Sequence, residues 1–140
     1  MKQLVEIARP AGLEHMEALR DTAAMVAREI GFSSEQVARV ELAVEEAVMN
    51  VILHAYPGAK GDVALSCSRD DGGCLVVMVT DGGIPFDPTA GAAVDKERPP
   101  GKRAPGGLGI DLMRHNADHL AYRRTKGKNM MTLLFMPESR

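Results

Sequence analysis

Apolar and polar positions run along this chain in two rhythms. From Gln3 to Ala8, Leu4 and Glu6 alternate with Val5 and Ile7, which predicts a short first strand. Pro10-Ala11-Gly12 breaks it. Met16, Leu19, Ala23, Val26, Ala27 and Ile30 then recur at helical spacing until Gly31. Ser33 has the chemistry of an N-cap, and a second, longer helix is predicted from Glu35 to His54, where Pro57-Gly58 stops it. Val63 to Ser68 and Leu75 to Thr80 read as a hairpin across Asp70-Asp71-Gly72-Gly73. Gly109 to Asn116 reads as a short helix. Leu120 to Arg124 and Met130 to Met136 read as two closing strands around Lys126-Gly127-Lys128.

The order β-α-α-β-β-loop-α-β-β clusters strands instead of alternating them with helices. It predicts an α/β chain of the α+β type: a two-layer sandwich whose mixed, mainly antiparallel sheet is covered on one face by helices. At 140 residues one domain over the whole chain, 1–140, is expected, long enough to bury a substantial core. Between the hairpin and the last helix, residues 88–107 carry no periodicity. The stretch is broken by Pro88, Pro99, Pro100 and Pro105, and a loop this long inside a compact domain reads as a lid or a disordered segment.

Composition narrows the function. A net charge of −2 with 26% charged residues offers nothing for a nucleic-acid or membrane surface. No apolar run approaches the roughly 18 residues of a membrane span. The stretch from Met1 to Glu6 lacks the apolar core of a signal peptide. A cytoplasmic protein without direct nucleic-acid or membrane contact is expected. Cys67 and Cys74 read as reduced thiols in such a compartment, not as a disulfide. With no Trp and 4% aromatics, stacking platforms for single strands are absent.

Three polar and glycine clusters carry candidate chemistry. On a helical wheel of about 100° per residue, Val37, Val40, Val44, Val48, Val51 and Ile52 form one face of the long helix. Glu46 and Asn50 lie one turn apart on the other side, framed by Leu42, Ala43 and Leu53. A carboxylate in an apolar frame needs a partner or gives up its charge, as general bases do. The functional reading makes the Asn50 amide oxygen a Mg²⁺ ligand, since magnesium takes hard oxygen donors. Glu46 then accepts the proton of a hydroxyl or water attacking a γ-phosphate. The competing reading is an ordinary helix with a surface Glu and Asn. Glu45 reads as a surface or partner-facing residue, and His54 as a helix-end cation or a phosphate-orienting group.

Asp81 closes the apolar run Leu75 to Thr80. It is placed to accept a hydrogen bond from an exocyclic amine such as that of adenine, with Gly82 and Gly83 allowing a flat ring to approach. A plain Asp-Gly turn is the alternative. Gly106-Gly107-Leu108-Gly109-Ile110 leads into a helix, where backbone N–H groups can bind phosphate. It is neither a dinucleotide fingerprint, since Leu112 stands where the last glycine belongs, nor a P-loop, since Lys102 is followed by Arg103. Lys102 and Arg103 themselves read as solvated loop charges or phosphate contacts.

Glu46-x-x-x-Asn50, Asp81-x-Gly83-x-Pro85-Phe86-Asp87 and Gly106-Gly107-Leu108-Gly109-Ile110 together resemble the N, G1 and G2 boxes of the GHKL ATPase superfamily. Glu45-Glu46-Ala47-x-x-Asn50 with His54-Ala55-Tyr56, and Pro85-Phe86-Asp87-Pro88, look most like its anti-sigma-factor serine-protein kinase branch. The resemblance implies a Bergerat-type ATP fold with ATP and Mg²⁺ as cofactors. It makes Asn50 the metal ligand, Glu46 the catalytic base and Asp81 the reader of adenine. Gly83 makes room beside the base, Gly107 and Gly109 serve lid and phosphates, and Thr132 supplies a hydroxyl near adenine, with a simple strand threonine as its alternative. The stretch 88–107 is the expected ATP lid.

Histidine kinases share these boxes, but Val44 stands where theirs usually carry His, and no phosphoacceptor helix module is seen. Gyrase- and chaperone-type relatives need a transducer domain as well. The resemblance therefore implies a serine/threonine protein kinase acting as an anti-sigma factor by partner switching. It would phosphorylate a small STAS-type anti-sigma factor antagonist and hold a sigma factor in the other state, and a homodimer is an assembly the resemblance allows. A non-catalytic ATP-sensing binding module and a stand-alone ATPase are the alternatives.

Overall fold

The computed structural model describes residues 1–89 and 105–138. Strand β1 (Lys2–Pro10) is followed by a 3₁₀ turn (Leu13–His15), helix α1 (Met16–Glu29) and helix α2 (Ser34–His54). Then come β2 (Asp62–Arg69), β3 (Leu75–Asp81), helix α3 (Pro105–Asn116), β4 (His119–Thr125) and β5 (Lys128–Phe135). Five strands form one sheet in the order β1-β2-β3-β5-β4. All four pairings are antiparallel, so among the described residues the sheet is antiparallel throughout and not mixed. The short turns joining β2 to β3 and β4 to β5 require it for those two pairs.

The helices cover one face. Helix α2 packs against both α1 and α3, and its Val40, Val44 and Val48 are fully buried. Burying each such side chain contributes about 1.5–3 kcal/mol. The sheet meets them with Val63, Leu65, Cys67, Leu75, Val77, Val79, Met131, Leu133 and Phe135, which are every second residue of β2, β3 and β5. The buried Cys67 thiol is pushed up to about 12 by loss of water, and neither cysteine is in a disulfide.

Local signals set the helix ends. Ser33 Oγ accepts from Gln36 N at 3.1 Å while Gln36 Oε1 accepts from Ser33 N at 2.9 Å, a reciprocal cap that starts α2. At the end of α1, Gly31 takes φ +94°. Phe32 N then reaches Ala27 O and Gly31 N reaches Arg28 O, both at 3.0 Å, which satisfies the last carbonyls.

One helix boundary differs from the sequence reading by a full turn. Helix α3 begins at Pro105 and not Gly109. Proline is well suited to a first helical turn because its missing N–H would have no partner there. Gly106, Gly107 and Gly109 therefore lie inside the helix. Of the stretch expected to form a lid, 90–104 fall outside the described residues, as do Lys102 and Arg103.

Candidate active site

A cleft opens between the helix layer and the C-terminal end of β3. Helix α2 supplies Ala47, Asn50 and Val51, with Ala55 just beyond it; β3 supplies Val79 and Asp81; the turn after β3 supplies Phe86 and Pro88; β4 and β5 supply Tyr122, Asn129 and Met131. The floor is apolar and the polar groups converge at one end, the usual build of a small-molecule pocket.

Asn50 and Asp81, far apart in sequence, both line this cleft. Asn50 is 8% exposed, so although the wheel sets it off the valine face, it lies at the margin of the core. The wheel measures angle about one helix, whereas burial also depends on what sits above it; here β3 and its turn cover that margin. The Asn50 Nδ2 atom is buried without a hydrogen-bond partner among the described residues. Leu42 and Leu53, expected to frame the site, are 48% and 61% exposed, while Ala43 and Ala47 are buried.

Glu46 sits one turn before Asn50 and is partly buried. Desolvation, then repulsion from neighbouring Glu45, raises its carboxyl above the ordinary glutamate range. Glu45 is drawn to the other side: Arg20 of α1 donates to Glu45 Oε1 at 3.2 Å and to Asp21 Oδ1 at 2.9 Å. The α1–α2 contact thus occupies Glu45 and leaves Glu46 without an ion-pair partner among the described residues.

The turn from Gly82 to Phe86 is held on all sides. Gly82 N donates to Tyr56 Oη at 2.8 Å, and Tyr56 Oη donates to Asp62 O at 2.6 Å. Gly83 N donates to Asp81 Oδ1 at 2.9 Å, and Ile84 N to Ala55 O at 2.9 Å. Arg124 Nη1 donates to Gly83 O at 3.0 Å. A Cβ on Gly83 would stand 2.1 Å from Ala55 O. The room Gly83 makes is therefore filled by the C-terminal end of α2, which presses the turn onto the helix that carries Asn50. His54, the last residue of α2, stacks on Phe86 with ring centroids 4.6 Å apart, and its Nε2 is buried without a partner among the described residues.

The remaining sequence candidates fall differently. Gly107 and Gly109 lie in the first turns of α3. Thr132 is not brought to the cleft, which corrects the expected hydroxyl beside the base. Asp81 pairs with Asn129 across β3 and β5, and Met78 pairs with Thr132. Side chains alternate along a strand, so Asn129 and Met131 face the helices with Asp81, and Thr132 faces away. Asn129, Tyr122 and Met131 are the cleft residues that sequence reasoning passed over. The signal for Asn129 was present: in Asn129-Met131-Leu133-Phe135 it is the one polar member of a period-2 apolar face.

An antiparallel sheet with one helical layer, and a cleft between them where an asparagine of the central helix faces a strand-end aspartate, define an α+β sandwich domain built around one small-molecule site. The chain belongs to the histidine kinase-like ATPase domain family, whose profile matches residues 9–135. It is 32% identical over 83 residues to the serine-protein kinase RsbW of Bacillus thuringiensis (strain Al Hakam), covering 59% of this chain and 51% of that one. The same figures hold for RsbW of Bacillus anthracis. The chain thus spans about half the length of these relatives. Among solved structures, the RsbU and RsbW domains of a Mycobacterium tuberculosis protein superpose with a TM-score of 0.67 at 16% identity, over 98% of this chain and 34% of that one. The SiaB–SiaC complex of Pseudomonas aeruginosa gives 0.63 at 16% identity, over 96% and 90%. At such identities the structural likeness shows the fold.

Proposed function

We propose that the chain is an ATP- and Mg²⁺-dependent serine/threonine protein kinase of a partner-switching system. It phosphorylates a small STAS-type antagonist protein and, in its other state, sequesters a sigma factor. The observation that carries this reading is the convergence of Asn50 and Asp81 on one cleft, with Glu46 one helical turn away. The family and the 32% identity to serine-protein kinases support it.

The donor set suits the two small components. Asn50 offers an amide oxygen in a pocket where, among the described residues, its Nδ2 is committed to no other group, and magnesium in nucleotide sites takes few protein oxygens, leaving the rest to phosphates and water. Bound Mg²⁺ would neutralise charge on the phosphates. Asp81 accepts the exocyclic amine of the base, and Val79, Met131 and Phe86 supply apolar surface around a flat ring.

Glu46 then acts as general base. As the acceptor hydroxyl oxygen bonds to the γ-phosphorus and the bond to the β–γ bridging oxygen breaks, the hydroxyl proton passes to the Glu46 carboxylate and ADP leaves with the bridging oxygen. A carboxyl raised by desolvation is a stronger proton acceptor than an ordinary glutamate once ionised. Phosphorylation adds close to two negative charges to the antagonist, and repulsion releases it.

The test is incubation of the purified chain with γ-labelled Mg-ATP and a candidate antagonist protein. Label on a serine or threonine that disappears in Glu46→Gln is the expected result. Tight ATP binding without transfer would favour a sensing module, and free phosphate without labelled protein a stand-alone ATPase.

A further inference from the structure

Asn129 is 4% exposed and uses its whole amide. Its Nδ2 donates to Asp81 Oδ1 at 2.9 Å and to Ile84 O at 2.7 Å. Its Oδ1 accepts from Tyr122 Oη at 2.6 Å, from Arg124 Nη1 at 3.0 Å and from Phe86 N at 3.4 Å. The chemistry of these neighbours sets the amide's orientation. Exchanging oxygen and nitrogen would turn N–H groups toward the Arg124 guanidinium and the Phe86 N–H, and the oxygen toward a carboxylate and a carbonyl. One side chain thus joins β3, the turn after it, β4 and β5.

The consequence falls on Asp81. Among the described residues, both hydrogen bonds that reach its carboxylate, from Gly83 N and Asn129 Nδ2, end on Oδ1. Two donors at 2.9 Å fill that oxygen and fix the rotation of the carboxylate plane. We propose that Asn129 is the positioning residue of base recognition. Its amide holds Asp81 so that Oδ2 is the oxygen presented to an exocyclic amine on the base. This inference rests on the reading of the cleft as an adenine-nucleotide site and adds the group that makes its aspartate selective. Tyr122 and Arg124, by filling Asn129 Oδ1, hold the amide in that orientation.

Selectivity is the readout, because a purely structural role would weaken all nucleotides alike. The probes are Mg-ATP and the triphosphate of purine riboside, which lacks the 6-amino group but keeps every other atom of the ligand. Binding of each is measured by calorimetry to the wild type, to Asn129→Ala and to the near-isosteric Asn129→Asp, with circular dichroism confirming the fold. The wild type is expected to prefer ATP. Each variant is expected to lower the ratio of ATP to deamino-analogue affinity by about tenfold, the scale of one hydrogen bond to a charged group, over and above any loss common to both nucleotides.

A second measurement needs no variant. In the wild type, ATP is expected to shift the Asn129 side-chain amide protons in a ¹⁵N–¹H spectrum, and the deamino analogue to leave them in place, because only ATP draws charge from the carboxylate they donate to. A full ATP preference in a folded variant, or amide protons indifferent to the 6-amino group, overturns the role of Asn129 and leaves the nucleotide site standing. Failure of the wild type to bind either triphosphate overturns both.

Discussion

The imidazole of His54 lies on the ring of Phe86, centroids 4.6 Å apart and planes inclined by 23°. The two residues belong to the end of α2 and to the turn leaving β3, so the stack fastens the helix bearing Glu46 and Asn50 to the turn that follows Asp81. An aromatic pair of this kind is worth about 0.5–1.5 kcal/mol beyond the area it buries. Phe86→Ala is expected to lower stability by about 1–3 kcal/mol once lost burial is included, read as a shift in the urea midpoint. It is also expected to weaken ATP binding, since Phe86 lines the cleft. Phe86→Tyr should keep both.

Glu46 sets a pH dependence. Its carboxyl is raised, chiefly by desolvation and then by Glu45, so the ionised form is the disfavoured one in the fold. Phosphoryl transfer is expected to climb as pH rises through a point above the ordinary glutamate range, where Glu46 loses its proton. Glu46→Gln should remove that limb and cut the rate by roughly 10²–10⁴, with ATP affinity kept. The sign for stability is opposite: protonation favours the folded state, so the contribution of Glu46 diminishes as pH rises through the folded value. An acid limb unchanged in Glu46→Gln would assign the base elsewhere.

Asn50→Ala is expected to separate binding from folding. The substitution removes a buried Nδ2 that has no partner among the described residues, which offsets the small cavity it leaves, so stability without ligand should move by no more than about 1 kcal/mol. The rise in melting temperature that Mg-ATP gives the wild type should vanish. Retention of a magnesium-dependent thermal shift would remove Asn50 from the metal.

Gly83→Ala should be costly in a way an Asp-Gly turn alone would not require. The added Cβ meets the backbone of Ala55 at 2.1 Å from the carbonyl oxygen, and backbone cannot step aside like a flexible side chain. Overpacking of this kind costs about 1–3 kcal/mol. Weakened nucleotide binding with a lowered melting temperature is the expected pair of results. A variant of wild-type stability would show that the turn does not press on α2.

Val44→Asp probes the core independently. Val44 is fully buried on the core face of α2, and an unpaired carboxylate there carries a desolvation penalty of several kcal/mol. Loss of the cooperative urea transition is expected, and a variant that melts like the wild type would contradict the assigned packing.

Much of this molecule was legible beforehand because its signals are local. The N-cap Ser33, the valine stripe of α2 and the alternation in β2, β3 and β5 each depend on residues a few positions apart. They suffice to order the elements and to predict a helix layer on one sheet face. The pairings that bring Asp81 beside Asn129 span 48 positions, and no periodicity within either strand names the other. Thr132 illustrates the same limit: a strand threonine after a glycine turn is compatible with either face, and one residue of register decides which.

Sequence alone determined the elements, the three polar and glycine clusters, and the chemistry each is able to offer, since backbone preference and side-chain type are properties of short segments. Tertiary structure decided which groups meet. The two-residue turn at Lys126 and Gly127, with φ of +52° and +77°, sets the register of β4 on β5, and β5 on β3 in turn places Asn129 opposite Asp81 and turns Thr132 away. Burial decided the rest: Asn50 is drawn to the core margin, and Gly83 is claimed by the end of α2. These outcomes depend on long-range packing and strand register, which no single segment contains.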